Sequence, residues 1–346
     1  MSGYLLRRLL QFIPLLLFLS IGLFALVNLA PGGPLASLGG ARHVNPQRAE
    51  QLRRQLGLDQ PLPLQYVYWL LGNDWTKVDA DGDGIAESAG NRKGILRGDF
   101  GTSFRTRQPV LGEILQRLPN TVYLMAVTLI VVGLIAIPVG VISAVRQYSA
   151  FDLTATTFSF AGQAIPEFWL GLVLIMVFYV WLHNPVTGEP LLPSGGMHSL
   201  GVGFSLGDWI KHLILPVSMG AVGWVAWYTR FLRAGMLDVL SQDYIRTARA
   251  KGLKERTVLY RHALRNALLP VLTLFALDLP YVFAGSLYVE LIFSWPGMGR
   301  LYYQSAVERD YPLLMAILII TAGVTALCNL LADLGYAVLD PRIRYE

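Results

Sequence analysis

The chain has 346 residues, of which 54% are apolar and only 15% are charged, and its mean hydropathy is +0.47. Soluble domains are typically about 45–50% apolar and about 25% charged. A soluble chain would have to bury this surplus in one very large core, so the composition excludes a soluble enzyme and a disordered chain. The single cysteine, Cys328, excludes an intramolecular disulfide and a multi-cysteine metal site. The sequence therefore indicates an integral membrane protein.

Six segments have the length and composition of membrane spans. About 20 predominantly apolar residues cross the roughly 30 Å hydrocarbon core as a helix. Because lipid offers no hydrogen-bond partner to the backbone, each span must be helical. The sequence predicts an all-α, polytopic membrane protein with six transmembrane helices, over residues 9–30, 121–145, 158–182, 213–229, 266–289 and 312–332.

The basic residues set the predicted orientation, because short cytoplasmic loops are enriched in Lys and Arg. With the amino terminus inside, the cytoplasmic segments hold fourteen basic residues and the short outside loops hold three. Nine of the fourteen lie between Arg230 and Arg265. Both termini are therefore expected to be cytoplasmic, and the net charge of +5 reflects topology rather than nucleic-acid binding.

Residues 31–120 form a long extracytoplasmic segment between the first two spans. Asn45-Pro46 predicts a helix start, since Asn is a good N-cap and Pro fits the first turn. The stretch 61–71 predicts a second short helix at the membrane interface, where aromatic residues such as Tyr66 and Trp69 collect. The segment is long enough to form a small subdomain.

Within this segment, residues 79–87 carry acidic residues at loop positions 1, 3, 5 and 9 and a glycine at position 6. Calcium loops use this spacing because alternate carboxylates converge on one hard cation, while the glycine permits a sharp turn. Position 12 is Gly90 and no helices clearly flank the loop, so a solvated acidic turn is the alternative to a metal site. The sequence predicts a calcium site with side-chain ligands Asp79, Asp81, Asp83 and Glu87 and the carbonyl of Ile85.

The only substantial cytoplasmic loop covers residues 230–265, between spans four and five. Good helix formers run up to Lys251, Gly252 interrupts them, and helix formers resume over 255–264. This pattern predicts two short helices with a glycine bend, forming a compact knob on the cytoplasmic face. The alternative is a basic loop that merely fixes topology, a role that any basic sequence would satisfy.

The loop resembles the signature of the membrane permease subunits of ABC importers, in the dipeptide, oligopeptide and nickel class. Arg246-Thr247-Ala248 stands where many relatives carry Glu-Ala-Ala, Gly252 occupies the glycine position, and residues 261–265 (RHALR) depart from the general signature as this class does. Residues 73–91 lie outside the resemblance. Further matching segments cover nearly the whole chain in order: 29–34 (LAPGGP), 98–103 (GDFGTS), 117–121 (RLPNT), 290–299 (ELIFSWPGMG), 309–312 (RDYP) and 339–344 (LDPRIR).

The resemblance implies a permease that translocates peptides or similar small solutes across the inner (plasma) membrane of a prokaryotic cell. It implies a second permease subunit of different sequence, two ATP-binding subunits and an extracytoplasmic substrate-binding protein. No Lys is followed by Ser or Thr, so a Walker A phosphate loop is absent and ATP chemistry must come from a partner. By the resemblance, the coupling helix that docks on an ATPase comprises Asp243, Tyr244, Arg246, Thr247, Ala248, Ala250, Lys251, Gly252 and Leu253.

Two charged residues lie inside predicted spans, Glu167 in the third and Asp278 in the fifth. A charge near the bilayer centre costs about 2.5–3.5 kcal/mol on insertion scales, so both are candidates for the translocation pathway. We predict that Asp278 meets a cationic part of the solute, against the alternative of an acid hydrogen-bonded between helices. Glu167 follows Pro166 at an expected helix kink and is favoured for a structural or gating role. Glu290 is expected to tie down the 290–311 loop.

Hydropathy alone leaves open a secondary transporter or a channel that is not coupled to ATP. A secondary transporter would show inverted repeats or broken helices lined with ionisable residues, and the sequence shows no convincing internal repeat. The expected organisation is an amino-terminal span (1–30), the extracytoplasmic subdomain (31–120), a five-helix permease core with the coupling loop (121–340) and a cytoplasmic tail (341–346).

Overall fold

The computed structural model describes residues 2–29, 53–54, 57–79, 88–199, 201, 203 and 205–339. The chain divides into two compact units. The first unit contains Met1–Leu118 and Leu301–Ala326, and the second contains Pro119–Arg300 and Leu327–Arg344. The helix predicted to begin at Asn45 lies outside the described residues.

Helices dominate the described part of the chain. A two-stranded antiparallel hairpin, β1 (Lys77–Val78) and β2 (Ser88–Ala89), qualifies the all-α prediction in the segment between the first two predicted spans. In chain order the helices are α1 (Ser2–Leu29), α2 (Leu62–Leu71), α3 (Val110–Val145), α4 (Ala150–Ala164), α5 (Glu167–Ile175, continued by a π-helix over Met176–Trp181), α6 (Leu206–Leu240), α7 (Asp243–Ala250), α8 (Glu255–Thr257, continued by a π-helix over Val258–Ala263), α9 (Leu264–Asp278), α10 (Tyr281–Ala284), α11 (Leu287–Ile292), α12 (Met298–Val307) and α13 (Tyr311–Leu339), with a short 3-10 helix over Ile95–Arg97.

Five of these helical stretches are long and apolar enough to cross a membrane, among the described residues. They are Arg7–Leu29, Val110–Val145, Leu206–Leu240, Glu255–Ile292 and Tyr311–Asp333. The pair α4 and α5 makes a sixth if the two are counted as one bent span. Hydropathy therefore located each of these stretches among the described residues, but it did not predict the path of the backbone in two of them.

The third predicted span, 158–182, is broken at Pro166 and not merely kinked there. Helix α4 ends at Ala164, α5 begins at Glu167, and the two axes differ by 99°. The cause is local, because a residue that precedes proline is disfavoured in the helical region. Ile165 accordingly is extended, with φ −73° and ψ 124°, before Pro166. The expected kink is a complete break.

The fifth predicted helix, 266–289, is also interrupted. Helix α9 ends at Asp278, and two short helices, α10 and α11, follow it. Gly285 separates them with φ +76°, a left-handed conformation that glycine adopts without the steric cost of a Cβ. A Cβ at this position would lie 2.4 Å from the Glu290 Oε1 atom, so no larger residue fits without displacing that carboxylate.

In the first unit, α2 packs against α1 through aromatic side chains. Tyr66 and Trp69 lie with their ring centroids 5.5 and 5.7 Å from that of Phe24. The Tyr66 hydroxyl lies 2.8 Å from the Ser20 Oγ atom, at hydrogen-bond distance. The aromatic stretch that predicted this helix is thus also the surface that holds it.

In the second unit, α6 is the central element and packs against α4, α5 and α9. One buried cluster joins α3, α6, α7 and α9 through side chains such as Ala144, Met236, Ile245 and Ala267. A second cluster, around Leu215, Met219 and Trp295, lies nearer the start of α6. These clusters fix the helices that surround the cavity described next.

Candidate functional site

The second unit contains a cavity of about 570 Å³, which is within the range of small-molecule sites. Both charged residues predicted inside spans, Glu167 and Asp278, line it. Among the described lining residues there is no Lys or Arg. The lining comprises Leu124, Met125, Thr128, Gln163, Glu167, Gly220, Gly223, Trp224, Trp227, Tyr228, Asp278, Tyr281, Gly285, Ser286, Leu287, Tyr288 and Val289.

Asp278 ends α9 and is held by α6. The Tyr228 hydroxyl donates a hydrogen bond of 2.7 Å to the Asp278 Oδ2 atom. Tyr228 is only 6% exposed, whereas Asp278 is partly exposed and faces the cavity. The carboxylate is therefore both hydrogen-bonded between helices and accessible from the cavity, so the two alternatives set by the sequence are not exclusive.

Glu167 lies at the junction of the two helix breaks. It is the first residue of α5, directly after the extended Ile165-Pro166 pair. Ser286, which precedes α11, donates a hydrogen bond of 3.3 Å to the Glu167 Oε1 atom. The Ser286 Oγ atom also accepts the Val289 backbone N–H at 3.4 Å, which caps α11. One side chain thus joins the starts of two helices at the cavity wall.

Aromatic rings form much of the remaining wall. The Trp224 ring lies 6.0 Å from Tyr281 and 6.4 Å from Tyr228, measured between ring centroids, and Tyr288 lies 6.4 Å from Phe168. Aromatic faces attract cations, particularly where water is excluded. Two acids and several aromatic rings therefore make this cavity suited to a solute that carries positive charge.

The sequence reasoning missed Tyr228 and the aromatic wall. The available signal was the spacing of Trp224, Trp227 and Tyr228 on span four, since residues three or four apart share a helix face. Aromatic residues on an apolar helix often pack in the protein core, so this spacing alone did not distinguish a cavity wall from a core.

Glu290 anchors the loop beside the cavity, as the sequence predicted. Its side chain is fully buried, and its Oε1 atom accepts the Thr121 hydroxyl at 2.8 Å. Its Oε2 atom accepts the Arg300 backbone N–H at 3.0 Å, and the Met298 N–H reaches Thr121 Oγ1 at 2.7 Å. A Cβ at Gly297 would lie 2.5 Å from the Glu290 Cδ atom, which explains the glycine. A buried carboxylate needs such partners, because an unsatisfied one is costly.

The segment between α6 and α9 has the helix–glycine–helix structure that the sequence predicted for the 230–265 loop. Helix α7 ends at Ala250, Gly252 has φ +74°, and α8 begins at Glu255. Arg249 closes the bend with an ion pair to Glu255, with 2.7 Å between the Arg249 Nη2 and Glu255 Oε1 atoms. The predicted fold of this segment is confirmed.

The nine residues predicted to couple to an ATPase fall on two sides of this segment. Ala248 is 7% exposed and packs in the same cluster as Ile245, which is fully buried. The Tyr244 hydroxyl accepts a hydrogen bond of 2.7 Å from the Asn266 side chain, which links α7 to α9. The remaining predicted residues are exposed: Asp243, Tyr244, Arg246, Thr247, Ala250, Lys251, Gly252 and Leu253.

Most of the predicted calcium loop lies outside the described residues. Asp81, Asp83, Ile85 and Glu87 lie outside the described residues. Asp79 is described, and its Oδ2 atom lies 3.8 Å from the Arg54 Nη1 atom. Strands β1 and β2 pair Val78 with Ser88 and so bring together the two ends of the loop.

Comparison with known proteins decides the family. Residues 136–345 match the family model described as "binding-protein-dependent transport system inner membrane component", and residues 1–125 match the model of its amino-terminal part. The chain belongs to this family. It is therefore a multi-pass inner-membrane protein, the permease subunit of an ABC importer, and ATP hydrolysis is carried out by partner subunits.

Two curated relatives match over the full length of both chains. The chain is 45% identical over 346 residues to the oligopeptide transport system permease protein AppB of Bacillus subtilis (strain 168). It is 37% identical over 361 aligned positions to the dipeptide transport system permease protein DppB of Escherichia coli (strain K12).

A solved structure shows the same fold. The chain is similar to a chain of the inward-facing MetNI methionine ABC transporter, with a TM-score of 0.52 and 16% identity. The likeness covers 66% of this chain and 97% of that chain. Broken helices at a cavity also occur in secondary transporters, but the family assignment does not favour that alternative or an uncoupled channel.

Proposed function

We propose that the chain is one half of the translocation pathway of a peptide importer, and that the cavity lined by Glu167 and Asp278 is the passage for the peptide. The curated relatives support a peptide cargo, since they are named oligopeptide and dipeptide permeases. A cavity of about 570 Å³ is large enough for a small solute.

The observation that carries the proposal is the placement of Asp278. It lies in the cavity, and its hydrogen-bond partner Tyr228 lies on the helix that runs into the cytoplasmic loop. Asp278 itself ends the helix that leaves that loop. The helices on either side of the segment that would meet an ATPase thus carry Asp278, which would meet the solute, and its hydrogen-bond partner Tyr228.

The chemistry proposed for Asp278 is recognition of the peptide ammonium group. A charge-assisted hydrogen bond contributes about 1.5–3 kcal/mol, roughly twice a neutral one. The faces of Trp224 and Tyr281 would add attraction for the same cation. Glu167, joined to Ser286 at the two helix breaks, would hold the wall in the geometry that admits the peptide.

The exposed side of α7 and the Gly252 bend would form the surface that docks in a cleft of an ATP-binding subunit. Its exposed members include Tyr244, Arg246, Lys251 and Leu253, while Ala248 and Ile245 attach it from beneath. ATP-driven movement of this surface would pass along α6 and α9 to the cavity.

The complete importer would contain a second permease subunit of different sequence, two ATP-binding subunits and an extracytoplasmic substrate-binding protein. Both termini and the α7 loop would be cytoplasmic, as the distribution of basic residues favours. The 79–87 loop would then lie on the outside, where calcium is plentiful, and we propose it as a calcium site on its spacing of acidic residues.

The test is ATP-driven peptide uptake by the complete importer in proteoliposomes, with Asp278→Asn. Loss of a charge-assisted hydrogen bond should lower uptake about tenfold. Asp238→Asn is the matched control, because Asp238 is an exposed acid on α6 that does not line the cavity. Uptake of lysine-containing and uncharged dipeptides at the wild-type rate in Asp278→Asn would contradict the pathway role.

A further inference from the structure

Arg230 lies on α6 one turn beyond the cavity, on the side of the cytoplasmic loop. Residues three or four apart share a helix face, and Gly220, Gly223, Trp224 and Trp227 of α6 all line the cavity. Arg230 follows Trp227 by three positions and so continues this face toward the end of α6 at Leu240.

The facing helix, α4, continues the cavity in the same way. Gln163 lines the cavity, and Phe160 precedes it by one turn. The Arg230 Nη1 atom donates a hydrogen bond of 2.6 Å to the Gln163 Oε1 atom, and the Arg230 guanidinium lies 4.6 Å from the centroid of the Phe160 ring. The guanidinium is therefore fixed in place at the edge of the cavity.

These two contacts orient the guanidinium without neutralising it, because the Gln163 amide and the Phe160 ring carry no charge. The next arginine on the helix differs in this respect. Arg233 makes a two-pronged ion pair with Asp152, with atom separations of 2.6 and 2.7 Å. Arg233 is thus a structural arginine, whereas Arg230 is an exposed cation held by neutral groups beside an acidic cavity.

We infer that Arg230 is the subsite for the carboxylate of the translocated peptide, opposite in charge to Asp278. This inference rests on the proposed function and deepens it. A guanidinium offers a planar fork of N–H donors that matches a carboxylate with two parallel hydrogen bonds. A peptide with both a free ammonium and a free carboxylate would then bind Asp278 in the cavity through its ammonium and Arg230 at the cavity edge through its carboxylate.

The experiment measures peptide binding to the assembled complex of permeases and ATP-binding subunits in lipid nanodiscs, without the substrate-binding protein. Saturation-transfer NMR competition reports weak affinities. The probes are alanyl-alanine, its C-terminal amide, and N-acetyl-alanyl-alanine. The wild-type complex should prefer the free dipeptide over the amide by about tenfold. Arg230→Gln should abolish this preference and leave the affinity for the amide unchanged.

Two further variants sharpen the test. Arg230→Lys should retain only part of the preference, because a lysine cannot make the two-pronged contact. Arg265→Gln removes an exposed arginine of α9 that does not line the cavity and should behave as wild type.

A preference for the free dipeptide that persists in Arg230→Gln would overturn the inference. So would an equal loss of affinity for the free and amidated peptides, since that would make Arg230 a structural or lipid-binding residue. The preference of the complex for alanyl-alanine over N-acetyl-alanyl-alanine, which lacks the ammonium group, tests the Asp278 proposal separately from the Arg230 proposal. If Asp278→Asn removes that preference while Arg230→Gln changes nothing, the peptide cargo stands and the Arg230 subsite fails. If the wild-type complex binds none of the three peptides, both fail.

Discussion

Truncation of Ile245 tests whether α7 transmits movement to the cavity. Ile245 is fully buried beneath α7 and packs in one cluster with Met236, Val258 and Ala263. Helix α7 has only eight residues, and isolated helices shorter than about 12–15 residues are marginal in water. Its structure therefore depends on the side chains that attach it, and Ile245 is the larger of its two buried side chains.

The expected magnitude follows from this burial. Replacing a buried Ile by Ala costs about 2–5 kcal/mol, and replacing it by Val costs about 0.5–1.5 kcal/mol. The first figure is large relative to the stability that a helix of this length has by itself, so α7 should detach in Ile245→Ala. Ile245→Val should leave it attached. Neither change alters the exposed residues that would contact an ATP-binding subunit.

The assay is ATP-driven peptide uptake and ATP hydrolysis, measured in the same proteoliposomes. Ile245→Ala should lower the number of peptides imported per ATP hydrolysed severalfold, and Ile245→Val should stay near the wild-type ratio. The amount of ATP-binding subunit that co-purifies with each variant controls for assembly. A wild-type ratio in Ile245→Ala, with assembly intact, would refute the assignment of α7 as the coupling element.

Three further predictions concern other parts of the chain. Glu290→Ala leaves the partners of a buried carboxylate unsatisfied, so the loop that follows should become sensitive to protease, whereas wild-type resistance would contradict the anchor role. Calorimetric titration of the full-length permease with calcium should show binding that the double substitution of Asp81 and Asp83 by Asn removes, and identical heats for both proteins would exclude the site. Arg97 holds the pKa of Asp74 below its usual range, through a hydrogen bond of 2.8 Å, so the pair stabilises the fold above the ordinary carboxyl pKa and loses this contribution as pH falls through the lowered value. Pepsin should cleave the adjoining segment more slowly in wild type than in Asp74→Asn, and this difference should vanish as pH falls through the lowered pKa of Asp74; equal rates at every pH would contradict the prediction.

The sequence alone located the apolar helices, the helix–glycine–helix segment and the two acids that line the cavity. Each of these rests on a strong local signal, such as a run of apolar residues or a glycine between two helix formers. Glu290 was also assigned correctly, because a lone acid at the end of a span needs buried partners. Its actual partners, Thr121 and the Arg300 backbone, are distant in sequence and follow only from the fold.

The helix breaks show why the rest could not be predicted. A hydropathy window covers about 20 residues, so a two-residue break such as Ile165-Pro166 hardly changes its average. The proline indicated a kink, but the angle of 99° depends on how α5 packs against its neighbours. At Gly285, both the left-handed backbone conformation and the nearby Glu290 carboxylate require a glycine. Each break therefore has a local cause, a proline or a glycine, whereas the angle at the first break is set by packing.

The role of Tyr228 likewise could not be predicted from local sequence, because its partner Asp278 is distant along the chain. This hydrogen bond would link the cavity to α7. Tyr228 lies on the helix that enters the α7 loop, Asp278 ends the helix that leaves it, and the two residues are 50 positions apart. Their hydrogen bond therefore closes a hairpin of chain that has α7, the proposed docking surface, at its tip. A movement of α7 that shifts one arm against the other must strain or break this bond. A peptide ammonium that binds Asp278 would weaken the Tyr228–Asp278 hydrogen bond from the cavity side. The peptide and the ATP-binding subunit would then act on the same hydrogen bond.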